Sequence, residues 1–250
     1  MRDKAIAFLR NAVAVAAASV FAMLAYIWLT VPDVRSLRTT NPATTAFMEL
    51  RADEARARGQ KPKRVQRWIS YGHISKDLQR AVLVAEDDAF WQHEGVDFDQ
   101  LQESLQRDWA QGRFARGGST ITQQLAKNLY LSPTKNPLRK VREFVIARRL
   151  EAELKKARIL ELYLNVIEWG DGIWGAEAAA RSYFGTSAAF LGPAESALLA
   201  AAIINPRVLN PARPNARLLR RQQLILRRMG AVTPPAVEAV RSPVQVPQLQ

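Results

Sequence analysis

An uncharged apolar segment near the N-terminus constrains this chain most. Residues Ala12 to Leu29 read AVAVAAASVFAMLAYIWL, and two further uncharged residues extend the segment to residue 31. At about 1.5 Å per residue, a helix of this length crosses the roughly 30 Å hydrocarbon core of a bilayer. A cleaved signal peptide is the alternative interpretation, but no small-x-small cleavage site follows Trp28. We therefore predict a transmembrane anchor over residues 12–31.

The flanking residues predict the orientation of this anchor. Arg2, Lys4 and Arg10 precede it, and basic residues are typical of the cytoplasmic side of a membrane helix. Tyr26 lies near the other end, where aromatic side chains suit the membrane interface. We therefore expect residues 1–11 in the cytoplasm, a single pass through the inner (cytoplasmic) membrane, and the remaining chain in the periplasm or another extracytoplasmic space.

Residues 32–67 form a basic juxtamembrane neck. Between Arg35 and Arg67, nine Lys or Arg residues stand against three acidic residues, a balance of +6. A solvated linker with a short helix around Met48 to Arg58 explains this composition, and so does contact with anionic lipid headgroups. The formal charge of the whole chain, +13, favours an anionic partner, which leaves nucleic acid, anionic lipid and a phosphorylated substrate open.

The remainder of the chain predicts a mainly α-helical domain over residues 68–232. From Ser75 onward apolar residues recur every three or four positions, and no alternating strand pattern stands out. Pro193 followed by Glu195 is typical of a first helical turn. Helix ends are expected at Gly170, Gly185 and Gly230. A proline-punctuated tail follows over residues 233–250.

Composition also excludes several chemistries. The chain has no cysteine, which rules out disulfides, thiolate metal ligands and cysteine nucleophiles. His73 and His93 are the two histidines, too few for a typical zinc site.

The segment GGSTITQQLAKN, residues 117–128, predicts a polar helix start. Thr120 and Gln123 have the spacing of a capping box, and Gly117 with Gly118 forms a loop just before it. The exposed N–H groups of a helix N-terminus favour an anion. The helix would carry a polar stripe of Gln123, Gln124, Lys127 and Asn128. An ordinary capped amphipathic helix is the alternative interpretation.

Carboxylates recur in two further segments. In AEDDAFWQHEGVD, Glu86, Asp87 and Asp88 stand beside aromatic residues, and desolvation there would raise a carboxyl pKa toward values useful in acid–base catalysis. Glu143 follows Arg139 by four residues and Lys140 by three. Taken alone, that spacing is typical of surface salt bridges on a helix.

Five segments, in this order and at this spacing, resemble all five sequence motifs of the family 51 peptidoglycan glycosyltransferases. They are residues 86–97, 117–128, 139–151, 155–185 and 195–206. The resemblance covers about residues 65–215. It implies a lysozyme-like, two-lobed helical domain, with the active cleft between the lobes, that polymerises lipid II into glycan strands. A short chain with one anchor resembles the monofunctional branch of the family, without a transpeptidase domain.

The resemblance also implies roles for individual residues. Glu86 is the catalytic base, and Glu143 is the second catalytic carboxylate, which supports the donor pyrophosphate directly or through a divalent cation such as Mg²⁺ or Mn²⁺. Lys127, Arg139 and Lys140 contact phosphate. Lys135 stands where the family usually has arginine, which keeps the charge but loses bidentate geometry. Hydrogen bonds to phosphate and sugar are expected from Ser119, Thr120, Gln123, Gln124 and Asn128. No organic cofactor is implied.

The partners implied are lipid II, the nascent glycan strand, the membrane, and proteins of cell-wall synthesis and division, with no nucleic acid. Two alternatives remain. A lytic enzyme of lysozyme-like fold would cleave peptidoglycan with a catalytic Glu, but would not need the cations at Lys127, Arg139 and Lys140. A non-catalytic, membrane-tethered polyanion-binding protein would be indifferent to Glu86→Gln.

Overall fold

The computed structural model describes residues 2–98, 102, 118–131 and 137–231, and within these ranges the chain is mainly helical. The helices are α1 (Arg2–Leu29), α2 (Ala46–Ala57), α3 (Lys76–Glu86), α4 (Ile121–Tyr130), α5 (Pro137–Glu153), α6 (Lys156–Val166), α7 (Ala176–Phe184), α8 (Pro193–Ala202) and α9 (Ala216–Arg228). Three short strands complete the fold: β1 (Val65–Gln66), β2 (Glu168–Gly170) and β3 (Ile173–Trp174). The predicted mainly-α class is confirmed. Gly117, Lys135 and the tail 233–250 lie outside the described residues.

Helix α1 contains the predicted anchor. Its segment Phe8–Leu29, 22 residues long, is apolar enough to cross a membrane, and little of it is buried against the protein. Within the described ranges no other helix meets this length and composition. Because α1 begins at Arg2, most of the predicted N-terminal segment 1–11 belongs to the same helix.

The basic neck is part of the folded domain. Val34, Leu37 and Met48 are buried in the main hydrophobic core. Helix α2 begins after Thr45, whose side chain accepts a hydrogen bond from the backbone N–H of Met48. The short helix predicted near Met48 to Arg58 is therefore confirmed. The solvated-linker interpretation is wrong for this stretch, because burial of apolar side chains fixes the neck to the domain.

The small sheet joins the end of the neck to the turn after α6. Strand β1 pairs in parallel with β3, and β3 pairs antiparallel with β2. The predicted helix end at Gly170 is wrong, because helix α6 already ends at Val166 and Gly170 lies in β2. Gly185 does end α7, and its φ of 67° is a left-handed conformation that glycine adopts without strain.

Two groups of helices surround the site described below, which fits the predicted two-lobed arrangement. In one group α3, α8 and α9 pack together, and in the other α4 packs on α5 and α6. Helix α8 begins with Pro193 as expected, and its alanine-rich body is fully buried. The end of α3 and the start of α4 meet where the two groups adjoin.

Candidate active site

Glu86 is the last residue of α3 and its carboxylate is largely buried. Its Oε2 accepts a hydrogen bond from Gln124 Nε2 at 2.9 Å, and its Oε1 lies 3.6 Å from Arg221 Nη2. Burial raises the pKa of Glu86 above its usual value, while Gln124, Arg221 and Lys127 oppose the rise. A carboxylate with a raised pKa is a stronger base than an exposed one, which suits it to accept a proton.

A buried tyrosine fixes the orientation of the amide beside Glu86. Tyr163 is fully buried, and its hydroxyl donates to Gln124 Oε1 at 2.9 Å. Burial holds the pKa of Tyr163 well above its usual value, so the hydroxyl keeps its proton and remains a donor. Because the amide oxygen accepts from Tyr163, the amide nitrogen must face Glu86.

Asp87 and Asp88 form structural contacts with other parts of the chain. Of these three neighbouring acidic residues, Glu86 is therefore the one available for chemistry. Asp87 accepts a hydrogen bond from Ile121 N–H at 2.8 Å and contacts His93 Nε2 at 2.9 Å. Asp88 is exposed and pairs with Arg228 at 2.6 Å. Asp87 therefore fastens the start of α4 to the end of α3.

The start of α4 has the predicted capping box, but it does not present a vacant anion site. Thr120 and Gln123 exchange side-chain and backbone hydrogen bonds, and both residues are buried. The first N–H of the helix is taken by Asp87, an anion from the chain itself. The groups that form the capping box are thus engaged within the protein, and contact of Thr120 and Gln123 with phosphate or sugar stays a prediction. Gly118 precedes the cap at a φ of 113°, which requires glycine.

The remaining polar residues of α4 line a cavity of about 250 Å³. Gln124, Lys127 and Asn128 form one wall. Asn128 also donates to the Gln124 carbonyl oxygen at 2.8 Å, one helical turn earlier. The opposite walls contain Phe47, Arg51, Tyr163, Ile167, Glu168 and residues 203–207. The neck thus contributes to the cavity through α2.

Glu143 forms the centre of a second polar group. Its side chain is 5% exposed; Oε1 lies 2.6 Å from Lys140 Nζ and Oε2 lies 3.4 Å from Arg139 Nη1. Lys140 Nζ also lies 3.1 Å from Ser119 Oγ, which ties this group to the segment before α4. The surface-salt-bridge interpretation is therefore wrong, because the shared carboxylate is buried.

Lys127 is electrostatically coupled to both carboxylates. Burial is the main cause that lowers its pKa, and the charges of Arg139 and Lys140 act in the same direction. Glu143 and Glu86 both oppose this decrease. The two carboxylates therefore help Lys127 to keep its charge beside the cavity.

The described residues do not form a protein-held metal site. Within the described ranges no group of three or more His, Asp or Glu side chains is placed to hold a metal ion. Glu143 already faces Lys140 and Arg139. These residues do not fit a dedicated cation cage, so a divalent ion would have to take most of its oxygen ligands from a substrate.

Two residues of this site have no recognisable signal in the sequence. Tyr163 lies inside the segment 155–185 that carries the resemblance, but nothing in its spacing indicates a hydrogen bond to Gln124. Arg221 lies in the amphipathic helix ARLLRRQQLILRR, where several arginines look alike in the sequence. Only the packing of α9 on α3 distinguishes Arg221 from its neighbours.

Comparison with known proteins identifies the family of the chain that carries these buried carboxylates and clustered cations. The transglycosylase family model matches residues 53–230. The chain therefore belongs to the transglycosylase family, which confirms the predicted resemblance.

Individual relatives are similar over most of their length. The biosynthetic peptidoglycan transglycosylase of Dechloromonas aromatica (strain RCB) is 48% identical over 195 residues, which cover 78% of this chain and 84% of that protein. The protein of the same name from Aromatoleum aromaticum (strain DSM 19018 / LMG 30748 / EbN1) is 52% identical over 167 residues, or 67% of this chain and 73% of that protein.

Proposed function

We propose that the protein is a peptidoglycan glycosyltransferase that polymerises lipid II into glycan strands, without transpeptidase activity. Membership of the transglycosylase family supports this function. The observation that carries it is the largely buried Glu86 carboxylate, which accepts a hydrogen bond from Gln124, while Gln124 and Lys127 both line the cavity. The arrangement provides a base and a cation for one displacement reaction.

In the proposed step, the 4-hydroxyl oxygen of the acceptor sugar attacks the anomeric carbon of the donor. Glu86 takes the hydroxyl proton as the new carbon–oxygen bond forms. The bond to the polyprenyl pyrophosphate breaks with inversion, and its electron pair leaves on the phosphate oxygen. Glu86 is left protonated, and it returns the proton to solvent or to the departing pyrophosphate before the next turnover.

The cations stabilise the departing pyrophosphate. Lys127, Arg139 and Lys140 supply positive charge, and charge-assisted hydrogen bonds to phosphate are among the stronger polar contacts in proteins. Glu143 holds Lys140 and Arg139 in place through its two carboxylate oxygens. A Mg²⁺ or Mn²⁺ ion shared between pyrophosphate and Glu143 is a further proposal, and loss of turnover in EDTA that Mg²⁺ restores would support it.

The apolar helix supports a location at the membrane, where the polyprenyl chain of lipid II resides. We propose that α1 spans the inner membrane once, with its N-terminus in the cytoplasm and the domain on the extracytoplasmic side. The guanidinium of Arg149 lies 5.7 Å from the centre of the Trp28 ring, so the domain contacts the outer end of α1. Proteins of cell-wall synthesis and division are the candidate protein partners.

The test is polymerisation of labelled lipid II by the detergent-solubilised protein, with products separated on a glycan gel. The wild type is expected to form a ladder and release polyprenyl pyrophosphate. Glu86→Gln is expected to lower turnover by about a hundredfold or more, because the amide cannot accept the hydroxyl proton. Asp88→Asn is the matched control, since it removes a nearby exposed carboxylate and is expected to retain activity.

Two other outcomes would replace the proposal. Shortening of preformed glycan by the wild type, without a ladder from lipid II, would indicate the lytic enzyme. Neither polymerisation nor cleavage by folded, lipid-embedded protein would indicate a polyanion-binding protein.

A further inference from the structure

Arg221 brings a second cation to Glu86 from the C-terminal helix. Its Nη2 lies 3.6 Å from Glu86 Oε1, on the opposite carboxylate oxygen from Gln124. Helix α9 packs against α3 and α8, and Leu218 and Ile225 are buried on its inner face. Packing of the whole helix therefore holds the arginine beside the base.

The guanidinium of Arg221 lies near Glu86 and forms no salt bridge with another carboxylate among the described residues. In the described part of the chain, Glu86 is the one carboxylate within salt-bridge distance of Arg221, whereas Arg228 on the same helix pairs with Asp88 at 2.6 Å. The Nε of Arg221 is buried and has no hydrogen-bond partner among the described residues. At 3.6 Å the contact is longer than a hydrogen bond, so Oε1 keeps its lone pairs available.

We infer that Arg221 is a positioning residue for the glycosyl transfer: it holds Glu86 ionised and leaves Oε1 open to the acceptor hydroxyl. This inference rests on the proposed function. The two oxygens of Glu86 then have different tasks. Oε2 is held by Gln124, and Oε1 accepts the proton while the positive charge of Arg221 stabilises the carboxylate before the reaction.

Several groups among the described residues affect the pKa of Glu86. Burial and the charge of Asp87 raise the pKa of Glu86, while the Gln124 hydrogen bond, Arg221 and Lys127 lower it. Removal of Arg221 therefore raises that pKa further. Because the base acts only when ionised, activity is lost as pH falls through the pKa of Glu86, and the acidic limb of the pH–rate profile moves to higher pH.

The experiment compares pH–rate profiles of lipid II polymerisation for the wild type, Arg221→Gln and Arg221→Lys. For Arg221→Gln we expect turnover to fall about tenfold on the acidic limb of the profile and by less than about threefold on the plateau above it. Arg221→Lys keeps the charge, so its acidic limb is expected to lie between those of the wild type and Arg221→Gln. Arg220→Gln is the matched control, because it removes an exposed arginine from the adjacent position of the same helix.

A loss of turnover that is equal at every pH, or no loss, would contradict the inference, since a purely structural arginine predicts no displacement of the acidic limb. If Arg221→Gln does not fold, as judged by circular dichroism, the profile of Arg221→Lys decides in the same way. A wild type that forms no polymer at any pH would instead overturn the proposed function. The two failures are therefore distinguishable in one set of assays.

Discussion

The surroundings of Glu86 and Glu143 differ although both carboxylates are buried. Glu86 has one hydrogen bond from a neutral amide and a guanidinium at 3.6 Å, while Glu143 has an ammonium group at 2.6 Å and a guanidinium at 3.4 Å. The pKa of Glu86 is raised, chiefly by burial. Glu86 thus keeps one carboxylate oxygen beyond hydrogen-bond distance of Arg221, whereas both oxygens of Glu143 face cations.

Under the proposed function, this difference fits two different roles. A base must be able to take up a proton, which favours the incompletely paired Glu86. A residue that organises cations needs close contact with them, which favours Glu143, whose two oxygens face Lys140 and Arg139. Lys127 feels the charge of both carboxylates and therefore couples the two regions.

Replacement of Lys127 is expected to give the largest effect after loss of the base itself. Lys127→Met should lower turnover by about a hundredfold or more, because a cation aimed at the leaving group in a partly buried site is lost. Turnover of labelled lipid II is the measurement. Lys61→Met, an exposed neck lysine, is the control. Equal activity of the two variants would place the pyrophosphate away from Lys127.

Glu143→Gln is expected to lower turnover by about tenfold to a hundredfold, because Lys140 and Arg139 lose the anion that orients them. It should also narrow the pH profile on the alkaline side. Glu143 helps to raise the pKa of Lys127, so its removal lowers that pKa, and Lys127 loses its charge at lower pH.

The control for this change lies on the same helix. Glu153→Gln removes a carboxylate that pairs with Arg38 at the end of α5, and is expected to keep the wild-type profile. If Glu143→Gln leaves the alkaline limb unchanged, Glu143 does not influence the pKa of Lys127, and the proposed coupling is wrong.

Tyr163→Phe tests the orientation of the Gln124 amide beside Glu86 and is expected to have a smaller effect on turnover. Without the hydroxyl, the Gln124 amide is free to reverse and present its oxygen to Glu86, so we expect a loss of turnover of about threefold to tenfold. Tyr183→Phe removes the hydroxyl of a partly buried tyrosine, which donates to the Trp169 carbonyl oxygen, and serves as the control. Similar kinetics for both variants would show that the amide needs no such support.

Local signals in the sequence predicted local features well. The capping box at Thr120 and the proline start of α8 depend on residues within one turn, and both are confirmed. The desolvation of Glu86 was predicted from its aromatic neighbours, and burial of its carboxylate agrees. The capping box and the proline start are each determined by residues close together in the chain.

Features that depend on distant partners escaped prediction. The start of α4 was expected to present free N–H groups to an anion, but the N–H of Ile121 is bound by an aspartate 34 residues earlier in the chain. The neck has a linker-like composition, yet its few apolar residues enter the core and strand β1, two residues long, pairs with β3. Arg221 lies 135 residues from Glu86, so no spacing rule connects them.

The smallest effect is expected for a change of Lys135, one of the cations proposed to bind the pyrophosphate. Lys135 lies outside the described residues, and its role rests on the resemblance. Lys135→Arg should leave turnover equal or raise it by up to about threefold, because a guanidinium can donate two parallel hydrogen bonds to phosphate where an ammonium group acts as a point charge. A tenfold fall in turnover would count against its placement at the pyrophosphate. If instead the variant is faster and its turnover is less sensitive to salt, departure of the pyrophosphate limits the rate of the wild-type enzyme. The cations around Glu143, and not the base at Glu86, then determine that rate.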